Sequence, residues 1–328
     1  MSTQALRTRR RWLGSAAATL LAPLAGGWST RPARAAEPTG PVRIVVAYPP
    51  GGVSDATARA LAEALAPRLG VPVWVTHRPG AGGALAMQAL AHAVPDGRTL
   101  VFSAITPLTL GPSDRTLGFD PRHDIVPVIS VMLTPVLLLA TPALPRAVAP
   151  DLGSALAWGR SPPGALRWAT SGLGTTGHLV LQQVAHASGV TVTHVPYHGG
   201  GAQLNDALGG QFELLSSNVA AAQLALLREG RLRALAVGAP SRLPVLPDVP
   251  TFAELGFPDA NLASEFGLFV PAGTPAARRE WLHDAVADAL KTPALRQRLL
   301  AADNLPTGDA AEAFAARIER ARAAAPGR

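Results

Sequence analysis

Residues 43–55 read RIVVAYPPGGVSD, and the reading of this stretch decides the fold. Residues 44–47 form a short apolar run rich in β-branched side chains, the pattern of a strand buried on both faces. Pro49-Pro50-Gly51-Gly52 cannot continue a strand and forces a turn. Ser54 or Asp55 is then placed to accept the first free N–H groups of a helix. That helix carries Ala58, Leu61, Ala62, Leu65 and Leu69 on one stripe and ends at Gly70. A helix N-terminus facing a glycine turn has unpaired N–H groups and a partial positive charge, so it can hold an anion without Lys or Arg. An ordinary α/β crossover with nothing bound has the same local sequence, so this stretch fixes the architecture before it fixes a ligand.

Working outward, the same alternation recurs. Strands are expected at 71–75, 99–103, 126–132, 136–140, 166–170, 190–195, 212–215, 233–238 and 265–270, with helices between most of them and three Ala/Leu/Arg helices closing the chain. Alternating strands and helices joined by short glycine turns predict parallel sheets with right-handed crossovers. Three turns stand out, at 49–54, 171–177 and 196–201, each after a strand and before a helix. Ligands of open α/β sheets sit beyond the carboxyl ends of strands, at such turns. Their convergence would make a pocket of N–H groups and hydroxyls suited to a small anion or zwitterion.

The 328 residues suffice for two domains, and 48% hydrophobic with only 5% aromatic content suits Ala/Leu/Val-rich α/β packing. The net charge of +7 is concentrated at the N-terminus: residues 1–36 hold six Arg and no acid, and the remainder balances 23 basic against 22 acidic residues. A nearly neutral body with no basic run argues against nucleic acid. The absence of cysteine excludes disulfides, thiolate metal sites and a Cys nucleophile.

Residues 1–36 have the three parts of an export signal: a basic start with Arg9-Arg10-Arg11-Trp12-Leu13, an apolar Gly/Ala-rich run over 13–27, and Ala33-Arg34-Ala35 as an A-x-A cleavage pattern. The twin Arg before an aromatic residue and Leu resembles a Tat signal, with a Sec signal as the alternative. The apolar run is too short, and too broken by Pro23 and glycines, to anchor in a membrane. The expected product is a periplasmic protein cut after Ala35 or Ala36.

Catalytic signatures are missing. The sequence has no G-x-x-x-x-G-K-[ST], G-x-S-x-G or H-E-x-x-H, and its eight His are not spaced as ligands. Gly80-Ala81-Gly82 opens like a dinucleotide fingerprint, but Leu85 stands where the third Gly belongs. His178 lacks a nucleophile–base–acid set around it and reads as a hydrogen-bonding residue. No cofactor, metal or enzymatic activity is expected.

Eight stretches occur in one register: 41–55 (PVRIVVAYPPGGVSD), 78–83 (RPGAGG), 95–100 (PDGRTL), 171–179 (SGLGTTGHL), 194–200 (HVPYHGG), 232–237 (LRALAV), 246–251 (LPDVPT) and 266–275 (FGLFVPAGTP). Together they resemble the Bug family, the TctC-type extracytoplasmic solute receptors of tripartite tricarboxylate transporters, over essentially all of the chain after residue 36. The resemblance implies a type II periplasmic-binding-protein fold: two α/β lobes, two crossing strands as a hinge, and a cleft that closes on ligand. The crossings are expected near 136–141 and 234–239, giving lobe 1 as 37–138 with 239–328 and lobe 2 as 139–238. It also implies a carboxylate ligand held by backbone N–H groups, hydroxyls and water. On this resemblance Tyr48, Gly52, Val53, Ser54, Asp55 and Ser103 line the first lobe's side; Ser171, Thr175, Thr176 and His178 line the second; and Tyr197, His198, Gly199 and Gly200 form the other wall, with Asn218 and Glu265 near the cleft.

The sequence departs from the family pattern at His198 where Lys is usual, Ser217 where Asp is common, Glu265 where Trp is frequent, and at Ala104-Ile105-Thr106. Fewer cations and one more acid near the cleft disfavour a multiply charged ligand such as citrate. A monocarboxylate, amide or zwitterion is expected, with Glu265 free to meet an amino group. The implied partners are the small organic acid and either the permease subunits of a tripartite transporter or a sensor protein, with the receptor itself a monomer. An enzyme on the same scaffold and a transcription-factor effector domain are the rival readings. The second would need a helix-turn-helix where the export signal stands.

Overall fold

A computed structural model describes residues 40–110, 118–160 and 165–324. The expected export signal, residues 1–36, lies outside the described residues. The first unit is the one read from sequence: strand β1 (Val42–Val46), a turn, and helix α1 (Val53–Leu69). Gly70 takes a left-handed conformation at φ 66° and ends the helix, as its sequence position suggested. The start differs. Gly52 occupies the N-cap position, while Ser54 and Asp55 lie inside the first turn, and no side chain caps it. Asp55 instead reaches back to accept the Gly51 N–H at 2.9 Å.

The chain continues through β2 (Val73–His77), α2 (Ala84–Ala91), β3 (Thr99–Ala104), the single turn α3 (Thr106–Thr109) and the long strand β4 (Ile125–Ala140). Then follow α4 (Leu152–Trp158), β5 (Leu166–Thr170), α5 (Thr176–Ser188), β6 (Val192–Pro196), α6 (Gly200–Leu208), β7 (Leu214–Asn218), α7 (Ala221–Arg228) and β8 (Arg233–Gly238). The last part holds β9 (Ala263–Pro271), α8 (Ala276–Leu290), α9 (Pro293–Leu300), the short β10 (Leu305–Pro306) and α10 (Ala311–Ala323).

The strands expected at 126–132 and 136–140 are one strand, β4, which organises the whole arrangement. From Ile125 to Pro135 it pairs antiparallel with β9, and β9 continues through β3 and β1 to β2. From Val136 to Ala140 it pairs with β8 on one edge and β7 on the other, and β7 continues through β5 to β6. The expected parallel pairing holds within β2-β1-β3 and within β6-β5-β7. β4 and β9 run antiparallel because β4 carries the chain out of one group and β9 brings it back.

Helices cover both faces of each strand group. Ile44, Leu61, Phe102, Leu268 and Val286 pack one face of the first group, and Met87, Val101, Phe269 and Phe314 the other. In the second group, alternate residues of β4 point to opposite faces, as strand geometry requires. Val136 and Leu138 join Trp168, Val184 and Phe252, whereas Leu137 and Leu139 join Ala169, Phe212 and Leu215. The expected division at residue 239 assigns Phe252 and Ala260 to the first lobe, yet both pack in the cluster around Trp168. β8 likewise runs along the second half of β4, so the chain re-joins the first group only at Ala263.

Candidate ligand-binding site

A cavity of about 860 Å³, counted with its open mouth, lies where β4 exchanges partners. Thr134 and Pro135 pair with Ser264 and Ala263 of β9, and the next residue, Val136, pairs with Asn218 of β7. Ser264 and Asn218 both line the cavity, and the Ser264 hydroxyl donates to Asn218 Oδ1 at 2.7 Å, tying β9 to β7 across the exchange. The parallel strands β1, β5, β6 and β7 end at residues beside this lining, and ligands of open α/β sheets sit beyond the carboxyl ends of strands.

The N-termini of four helices border the cavity: Gly52, Val53 and Ser54 of α1; Thr175, Thr176 and Gly177 of α5; Gly199, Gly200 and Gly201 of α6; and Ala220, Ala222 and Gln223 of α7. α1, α6 and α7 have no side-chain cap. Thr175 caps α5, its hydroxyl oxygen accepting the His178 N–H at 3.4 Å while its O–H donates to the Gly172 carbonyl at 2.8 Å. None of the described residues lining the cavity is charged. Its electrostatic character therefore comes from helix N-termini, which favour an anion.

Of the residues singled out in the sequence, Tyr48, Gly52, Val53, Ser54, Ser171, Thr175, Thr176, Gly199, Gly200 and Asn218 line this cavity. Tyr197 and His198 line an adjoining cavity of about 570 Å³, again counted with its open mouth, which shares Tyr48 and Ser171 with the first. The Tyr48 hydroxyl donates to the Gly82 carbonyl at 3.4 Å, and burial, opposed by nearby hydrogen bonds, holds its phenol above the usual range. The Tyr197 phenol is pushed up to about 12 by burial and by the Asp206 carboxylate, to which it donates at 2.7 Å. Both phenols are therefore neutral donors at neutral pH.

Four expected residues line neither cavity. Ser103 is fully buried next to Ala104, which takes the cavity-facing position at the end of β3. His178 stacks on His194 with ring centroids 4.6 Å apart and accepts the Gly174 N–H at 3.3 Å, so it supports the second glycine turn from behind. Burial lowers the pKa of His178, and burial together with His178 brings His194 to about 4. Asp55 is held beneath the first turn by Gly51 N–H at 2.9 Å, His77 Nε2 at 2.8 Å and Arg59 Nε at 2.9 Å. Glu265 is not free to meet an amino group. It points away from its neighbours Ser264 and Phe266, which line the cavity, because side chains alternate along a strand. Its carboxylate accepts from Arg317 Nε at 2.9 Å and from the Ser130 hydroxyl at 2.8 Å.

The lining also holds Ser216, Gln223, Ser264 and Phe266, which were not among the expected site residues, and Thr106 and Ser217, which the sequence singled out only as departures from the family pattern. Ser264 and Phe266 follow from strand alternation once Glu265 is turned inward. Gln223 belongs to a fourth strand-to-helix turn, after β7, which has no glycine to mark it. No group of three or more potential metal ligands occurs among the described residues, and none of their helices is long and apolar enough to cross a membrane.

The model of the tripartite tricarboxylate transporter family receptor, TctC, matches residues 57–318. The protein BugT of Bordetella pertussis is 34% identical over 271 residues, 82% of either chain. Among solved structures, MatC from Rhodopseudomonas palustris with bound malate is 32% identical with a TM-score of 0.79, covering 87% of this chain and 97% of that one. A second R. palustris protein, with adipate, is 32% identical with a TM-score of 0.81, covering 87% and 95%. The fold is thus that of the TctC-type periplasmic binding proteins, which are receptors and not enzymes. The chain belongs to the TctC, or Bug, family of solute-binding receptors.

Proposed function

We propose that this receptor captures a small organic acid in the cavity at the β4 partner exchange, with its carboxylate against the N-termini of α1, α5 and α6, and presents it to the permease of a tripartite tricarboxylate transporter. The observation that carries this reading is the convergence of helix N-termini on a cavity that no described charged side chain lines. The malate and adipate bound by two relatives support the same ligand class. The lobes divide at Pro135/Val136 on the outward pass and at Leu262/Ala263 on the return, and ligand is held as they close. The N-terminal segment directs export to the periplasm and is cut after Ala35 or Ala36, so N-terminal sequencing of exported protein should begin at Ala36 or Glu37.

Thermal-shift screening of protein stripped of co-purified solute tests the ligand class. A ligand at about 100 times its dissociation constant adds roughly 2.7 kcal/mol to the native state, an increase of about 4–5 °C in Tm for a chain of this size. Small carboxylates should produce that shift and neutral sugars should not. A shift by sugars alone overturns the proposal.

A further inference from the structure

One side chain in the cavity lining holds a polar atom that the fold leaves unused. Gln223 is 6% exposed, and its Oε1 has no hydrogen-bond partner among the described residues. One N–H of the Gln223 amide is anchored. Its Nε2 donates to the Ser217 hydroxyl oxygen at 2.8 Å, and that hydroxyl donates in turn to the Asn218 carbonyl at 3.4 Å. The arrangement leaves the amide oxygen as the unsatisfied end. Buried polar atoms are almost always paired, so an orphan acceptor in a cavity wall marks the place of a ligand group.

The chemistry of that group follows from the acceptor. Helix N-termini elsewhere in the lining offer N–H donors, which suit a carboxylate. Gln223 Oε1 offers lone pairs, which suit an N–H or O–H. A second ionised carboxylate would set lone pairs against lone pairs, and no described lining residue supplies a cation to relieve them. We infer that Gln223 is the specificity determinant of this receptor, and that its ligand is an acid carrying a hydrogen-bond donor (hydroxyl, amide or ammonium) away from its carboxylate. This rests on the carboxylate reading above and narrows it; the role expected for Glu265 passes to Gln223.

Isothermal titration of the purified, solute-stripped protein with matched acids tests the inference: butyrate, γ-hydroxybutyrate, succinamate, γ-aminobutyrate and succinate, with benzoate and p-hydroxybenzoate as an aromatic pair. A site built to hydrogen-bond a ligand group discriminates strongly against the analogue without it. At least one donor-bearing acid should bind about tenfold or more tighter than its donor-free match, and succinate should bind more weakly than succinamate at neutral pH. Gln223→Met, which keeps the volume and removes the acceptor, should erase the gap between each donor-bearing acid and its donor-free match. Gln223→Glu, which keeps an acceptor, should retain the gap and favour the ammonium. Equal binding within each matched set, or succinate binding tightest, overturns the inference and leaves the carboxylate reading standing. No binding by any acid overturns both. The wild-type panel decides even where a variant fails to fold.

Discussion

Asp55 stands one step behind the proposed ligand site. Its carboxylate closes the first turn from below, through the Gly51 N–H, His77 and Arg59, and contributes nothing to the cavity wall. Burial alone would raise its pKa, but the Gly51 N–H, His77 and Arg59 outweigh burial and hold it below 3.8. A depressed carboxylate stabilises the fold fully above its unfolded pKa and loses that contribution as pH falls through the folded value. Asp55→Asn should therefore cost about 2 kcal/mol at neutral pH, the scale of hydrogen bonds to a charged group. The gap to wild type in urea titrations should narrow only at pH below 3.8. The stacked histidines act in a higher pH window. His194 titrates at about 4 in the fold against 6.5 unfolded, so the unfolded chain takes up its proton first and stability falls as pH drops from 6.5 towards 4. Thermal scans across that window should show the decline, and His194→Gln should flatten it, leaving the smaller part due to His178. Neither role was legible from local sequence. Asp55 read as a cap or a ligand contact because Gly51 and Ser54 are its neighbours, while its partner His77 lies 22 residues away on β2. Glu265 misled for the same reason: its ion pair with Arg317 spans 52 residues.

The helices that face the cavity differ in how their first turns are satisfied, and that difference separates stability from binding. Thr175 caps α5 at the cavity, and Asp151 caps α4 away from it, its Oδ1 accepting the Ser154 N–H at 2.7 Å. Replacing either by Ala removes one cap, worth about 1 kcal/mol. Both variants should lose that much stability in chemical denaturation, but only Thr175→Ala should also weaken ligand binding, because its hydroxyl holds the Gly172 carbonyl at 2.8 Å and shapes the turn beside Ser171. Equal affinities for the two variants would remove Thr175 from the site. At this scale the sequence was informative, since the glycine turns that place α1, α5 and α6 are marked by residues that the geometry demands. Gly199, for example, sits at φ 142°, closed to side chains with a Cβ. The turn into α7 was missed because Asn218 to Ala220 leave β7 without any positive φ, so no glycine is needed. The unity of β4 was missed because the two expected strands left a gap at 133–135; Pro135, in that gap, lies within β4, opposite Ala263 at the edge of the β9 pairing.

For the whole molecule the decisive contact is the seam between the two strand groups above the cavity. Gly82, from the 3₁₀ turn before α2, lies against the Leu173 carbonyl: a Cβ there would stand 2.5 Å from the oxygen. Gly199 lies against Pro49 in the same way, at 2.6 Å. Backbone thus meets backbone and proline along the rim, and there is no room for a methyl group. If the groups are lobes that close on ligand, a methyl at the seam should act on closure rather than on folding. The two effects can be separated because Gly82 also has φ 62°, and a side chain in that region costs about 1–2 kcal/mol by itself. Gly70 at the end of α1 has φ 66° with nothing within 4 Å of its Cβ position, so Gly70→Ala carries the same backbone strain without a seam contact. The two variants should unfold at similar denaturant concentrations, each below wild type. Gly82→Ala should bind the ligand about tenfold or more weakly, a loss of about 1.4 kcal/mol, and small-angle scattering should show it failing to contract when ligand is added. Gly70→Ala should bind and contract as wild type does. Wild-type affinity in Gly82→Ala would mean that ligand is held without the seam closing, and the two-lobe account of capture would then have to be abandoned in favour of a fixed cavity.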